Sequence, residues 1–210
     1  PRPTLFPYTT LFRSPDRDPE MPADKGLERT TAEFQELLVG VGTDGKRYAY
    51  QYEAADGLST REGTIAFYLT PKDWAGNDNG PFRMFFSADS DAGEDLLIYH
   101  YVGENNLVFL MGREQRWDII KVPIDDWTAN TTYHVVCAWK PGFMYLYIDG
   151  EPVKVLQTGE RSNGKVKSFR LGWANWVNEK GLSRLGDMRI FDYALPQEEI
   201  ARLFPLRDME

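Results

Sequence analysis

The feature that most constrains this chain is a series of short runs of branched and aromatic residues, each cut off by Gly, Pro, Asn or Asp. TIAFYLTP (64–71), FRMFFSA (82–88), DLLIYHYV (95–102), NLVFLMG (106–112) and WDIIKVP (117–123) all have this form. Runs of this length, bounded by turn-forming residues, specify strands rather than helices. In the first, Thr64, Ala66 and Tyr68 oppose Ile65, Phe67 and Leu69, a period of two. YHVVCAWK (133–140) and FMYLYID (143–149) are joined by Pro141-Gly142, and the second meets PVKVL (152–156) through Asp149-Gly150. The Asp-Gly pair tolerates the positive φ values of a tight hairpin, so two hairpins in series are expected. SFRLGWANW (168–176) and GDMRIFDY (186–193) supply two further strands, while TAEFQELLVGVG (31–42) reads as a helical turn or an edge strand.

About ten such strands, without a βαβ pattern or a fixed repeat, predict an all-β fold: an antiparallel β-sandwich of the jelly-roll kind. ALPQEEIARLF (194–204) adds a short C-terminal helix beginning near Pro196. Ile200, Leu203 and Phe204 share one face of it, which is expected to pack against a sheet edge. Glu198 and Glu199 fall in its first turn, where negative charge suits the helix dipole.

The ends are read differently. Thr4 to Ser14, TLFPYTTLFRS, reads as the in-frame translation of a DNA-sequencing adaptor, and PDRDPEMPAD (15–24) has nothing to bury. Residues 1–30 are therefore expected to be artefact plus disordered linker, and residues 31–210 the folded domain. On this reading the natural N-terminus is missing, so a signal peptide cannot be sought.

Charge narrows the partners. The 32 acidic residues outnumber the 24 basic ones and give a net charge of -8, the opposite of the basic footprint that a phosphate backbone requires. Nucleic acid is excluded as an expected partner. No apolar run approaches the ~20 residues of a membrane-spanning helix. The single cysteine, Cys137, rules out an internal disulfide and falls on the same strand face as Tyr133, Val135 and Trp139, as a core thiol would.

Three segments together resemble the laminin-G-like members of the concanavalin A-like lectin/glucanase superfamily. They are EGTIAFYLTPKDW (62–74), TTYHVVCAWKPGFMYLYIDGEPV (131–153) and LGDMRIFDYALPQEEIARLF (185–204), in the family's order. The chain has Tyr68 where the family's opening strand often has Trp, and it lacks the paired cysteines of some extracellular members. The resemblance implies the sandwich fold and an extracellular or cell-surface location. It leaves function open, because lectins, adhesion modules and glycan-cleaving enzymes share this scaffold.

Glycoside hydrolysis needs two carboxyls flanking the scissile bond. The acid-x-acid-x-x-acid strand signature of the related hydrolases is absent, and Glu114 with Asp118 is the nearest same-face pair. His100, between Tyr99 and Tyr101, lacks the flanking motifs of alginate-lyase-type enzymes. No residue is assigned a catalytic role.

A sugar site instead needs an aromatic platform with amides and carboxylates around it. Trp74 with Asn77 and Asp78, Trp117 in its charged surroundings, and Trp173, Asn175 and Trp176 are the candidates. Calcium is the one cofactor considered, as a structural ion. Asp89 and Asp91 share an acid-rich loop with Glu94 and Asp95, and Asp187 matches the position near the last strand where the family often carries a calcium. The expected function is a non-catalytic carbohydrate-binding or adhesion module within a larger extracellular bacterial protein, with a polysaccharide or glycan as partner. The alternatives are a glycan-active hydrolase or lyase on the same fold, or a protein-binding spacer.

Overall fold

An alternating strand has one face to bury, and here two antiparallel sheets bury theirs against each other. The computed structural model describes residues 37–54, 58–78, 82–113, 116–173 and 181–204. One sheet contains, in spatial order, β11 (Glu151–Gln157), β10 (Phe143–Ile148), β9 (Tyr133–Lys140), β4 (Gly63–Pro71), β13 (Gly181–Phe191), β1 (Leu37–Val41) and β2 (Arg47–Tyr48). The other runs β3 (Tyr50–Glu53), β12 (Val166–Leu171), β5 (Arg83–Ser90), β6 (Asp95–Tyr101), β7 (Asn106–Arg113) and β8 (Arg116–Pro123). Each pairing between neighbouring strands is antiparallel. The result is the expected sandwich, with β5 to β8 as a meander and β9 to β11 as two hairpins in series.

The core lies between the sheets. Ile65, Phe67 and Leu69 of β4 and Val135, Cys137 and Trp139 of β9 face Phe86, Ile98 and Phe109 of the opposite sheet. Cys137 is a free, buried thiol, and burial pushes its pKa well up, which keeps it protonated and inert. The indole N–H of Trp139 donates to the Ser59 carbonyl at 3.0 Å, so this large ring is buried without an orphaned donor.

Segment 37–41 of the ambiguous TAEFQELLVGVG run is a strand, because β13 offers it a ladder from Leu185 to Gly181. The C-terminal helix α1 (Gln197–Leu203) forms as expected, but it does not pack on an edge. Ile200 and Leu203 sit on the outer face of the seven-stranded sheet, against Ala66, Val136, Tyr147 and Phe191. Small or flat side chains at Ala66 and Val136 leave room there for a helix, which an edge strand would not offer.

Candidate functional site

The outer face of the six-stranded sheet gathers three of the candidate residues. Along β8, Ile120 points into the core and Trp117, Ile119 and Lys121 point away from it, so Trp117 and Ile119 are each more than a third exposed. Register then places side chains in rows across this face. Trp117 pairs with Gly112, Gly112 with Asp95, and Asp95 with Asp89. The next row runs Ile119, Leu110, Leu97, Ser87 and Arg170. Gly112 has a positive φ of 128° and its Cβ position is taken by the Arg116 carbonyl of β8, so it serves the close approach of β7 and β8. Along the row, two strand spacings, ~10 Å, lie between Trp117 and Asp95.

The two acids are joined. Asp89 and Asp95 face each other at the mouth of the β5–β6 turn, and burial, then a hydrogen bond with Asp89 and its charge, push the Asp95 pKa up to about 6. Arg170 compensates one side of the pair, donating to Asp89 Oδ2 at 3.2 Å. The same guanidinium lies 5.6 Å over the ring of half-buried Trp173, whose carbonyl accepts from the Ser87 hydroxyl at 2.7 Å. Beside these on the same outer face, Met84, Leu97, Tyr99, Val108 and Leu110 form a buried apolar cluster. The accessible chemistry is therefore one exposed indole, a proton-sharing carboxyl pair and a charge-stacked second Trp. Such a surface can hold a pyranose by stacking and by hydrogen bonds in both directions.

Trp74 corrects one expectation. It is 2% exposed, with its ring stacked on His100 at 4.9 Å and Phe85 at 6.1 Å, and the Arg83 guanidinium 4.8 Å from its centroid. Its N–H donates to Ser183 Oγ at 3.0 Å. The polar loop around it suggested a rim, but both ring faces and the donor are taken up by the interior. Arg83 is buried, donating to Asp78 Oδ2 at 3.4 Å and sharing a 3.0 Å hydrogen bond with His100 Nδ1. Burial, then the Arg83 charge, lower the His100 pKa to about 4. Asn77 is exposed and Asp78 half-buried at this end of the sandwich. The cavity beside Arg83, between Val39, Gly172 and Gly181, has room for about one water and no sugar.

The metal candidates stand apart. Both Asp187 oxygens are engaged by Arg189, and Asp91 Oδ1 accepts the Lys165 backbone N–H at 2.7 Å. Asp89, Asp91 and Asp187 do not converge, and no group of three or more His, Cys, Asp or Glu placed to hold a metal occurs among the described residues. Asp118 points inward and is paired with the buried guanidinium of Arg161, away from the Trp117 face. Asn175, Trp176 and Glu114 lie outside the described residues. Sequence reasoning missed Arg170 and the Asp89–Asp95 contact. A symmetric count outward from Ala92, the centre of the β5–β6 turn, would have found the latter, because hairpin register makes those two acids opposite neighbours.

Two packed antiparallel sheets with a helix on one outer face define a jelly-roll sandwich, a class whose surfaces serve many functions. The family is more specific: residues 44–201 match the laminin-G-type model of the concanavalin A-like lectin/glucanases superfamily, so the chain belongs to that superfamily. No curated protein matches the chain. Similar solved structures are botulinum neurotoxin binding domains. The C/D mosaic receptor-binding domain has a TM-score of 0.65 at 13% identity, covering 82% of this chain and 42% of that one. The serotype D domain in complex with N-acetylneuraminic acid gives 0.63 at 14%, covering 82% and 42%. The DC binding domain in complex with rat synaptotagmin II gives 0.63 at 17%, covering 82% and 46%. The chain thus spans less than half the length of these proteins, and the likeness is one of fold.

Proposed function

We propose that this chain is a non-catalytic glycan-binding module, acting outside the cell as part of a longer protein. The observation that carries the reading is Trp117, an exposed indole in the same cross-strand row of the outer sheet face as the Asp89–Asp95 pair. A large aromatic left in water beside directed polar groups is what sugar recognition uses. The superfamily supports it too, and one similar fold was solved with N-acetylneuraminic acid bound. Exposed Ile119 beside Trp117 favours protein contact as the second reading.

The test is a glycan array with and without calcium, run on the full chain and on Trp117→Ala. Binding of a saccharide that falls at least tenfold in the variant, with its melting temperature kept, supports the module. Failure of the chain to bind any glycan in either condition overturns it. Equal binding by the variant moves the site elsewhere.

A further inference from the structure

The opposite side of the molecule holds a polar niche that the glycan site does not use. His134, on β9, is 2% exposed on the outer face of the seven-stranded sheet. Tyr68, its register partner on β4, lies 4.8 Å from the imidazole between ring centroids, and Phe204, just past α1, stacks on it at 5.6 Å and 17°. The His134 backbone N–H donates to Asp149 Oδ1 at 2.7 Å, but Nδ1 of the ring is buried without a hydrogen-bond partner. Four elements face the ring. β4 brings Tyr68, β13 the mutually paired Asp187 and Arg189, and the β10–β11 turn Asp149. The C-terminal segment brings Phe204 and the Leu203 carbonyl, which accepts from the Tyr68 hydroxyl at 3.3 Å.

Such a ring stays neutral: burial, then Arg189, lower its pKa to about 4, with Asp187 pulling the other way. A charged imidazole with an unpartnered N–H needs water, and the cover that can move is Phe204 at the end of a seven-residue helix. A helix this short has little stability of its own and is held by its contacts. We propose that His134 and Phe204 form an acid-operated latch, in which protonation of the imidazole lifts Phe204 and frees α1 while the sandwich remains folded. Release uncovers Ala66, Val136 and Tyr147, an apolar patch that α1 otherwise closes. The device is independent of the glycan reading.

With a pKa of about 4 closed and an ordinary ~6.5 open, the opening equilibrium rises on the order of 50-fold between pH 7 and pH 4.5. Hydrogen exchange on the full chain, corrected for intrinsic rates, measures it. The Ile200 and Phe204 amides, which donate to the Pro196 and Ile200 carbonyls, should lose protection by about that factor, while β4 and β9 keep theirs. His134→Gln should show no such pH dependence. Phe204→Ala, which touches no core residue between the sheets, should be open already at pH 7. Equal protection of α1 at both pH values overturns the latch, as does an unchanged pH dependence in His134→Gln. A parallel loss in β4 and β9 is global unfolding and overturns it as well.

Discussion

At the scale of single residues, two tryptophans in similar polar sequence surroundings have opposite fates. Trp74 fills the interior and Trp117 stands in water. Trp74→Ala should cost 3–5 kcal/mol, as expected of a buried Trp truncation, whereas Trp117→Ala should stay within about 1 kcal/mol. Urea unfolding of the two variants checks this, and comparable losses would mean Trp117 is structural. The sequence did not separate them, because burial is decided by tertiary placement: Trp74 meets Ser183, a partner far along the chain, whereas Trp117 lies on β8, an edge strand of its sheet. Asp95 carries a second prediction. Its pKa, about 6 when folded, exceeds the ordinary carboxylate value, so the folded form holds a proton the unfolded one releases. Stability from this group is therefore present at low pH and lost as pH rises from ~4 through 6. Asp95→Asn should stabilise by about 1 kcal/mol above pH 6.5, allowing for solvent screening of a half-exposed group, and by nothing near pH 4. Melting curves at the two pH values decide it.

At the scale of elements, the hairpins were legible and the helix contact was not. Asp149 and Gly150 both adopt positive φ, 51° and 82°, as the Asp-Gly dipeptide foretold, and the turn also receives Phe204 against Gly150. Gly150→Ala forces a side chain into the left-handed region, at a cost of about 1–2 kcal/mol and a Tm fall on the order of 5 °C. Gly159→Ala is the matched control: nothing lies within 4 Å of its Cβ position and its φ is not left-handed, so its Tm should hold. If both glycines tolerate alanine alike, the turn does not set the hairpin. The helix was readable from Pro196 and the spacing of its apolar residues, yet its seat on the sheet face was not. Ala66 and Val136, which make room for it, are ordinary strand residues until the pairing of β4 with β9 brings them side by side.

For the whole molecule, the order of the sheets was beyond the sequence pattern. β13 lies between β4 and β1, pairings that span more than a hundred residues, and no local signal encodes such closures. What the assembled fold does encode is a response to acid. His100 and His134 are both neutral when folded, with pKa values lowered to about 4, so unfolding takes up two protons between pH 6 and 4.5. Asp95 opposes them by holding one proton in the folded state, and Asp149, also raised by burial, adds to its side. The unfolded chain then binds at most one proton more than the folded one. Stability should accordingly fall with decreasing pH by no more than about 1.4 kcal/mol per unit in this window. Replacing His134 by Gln removes one proton from the unfolded side and should bring the slope near zero. Replacing His100 as well should reverse its sign, since only the raised carboxyls remain. Urea unfolding of the three proteins at pH 6, 5.2 and 4.5 measures the slopes. A double variant that still weakens in acid as the parent does would show that neither histidine is the group that burial keeps uncharged.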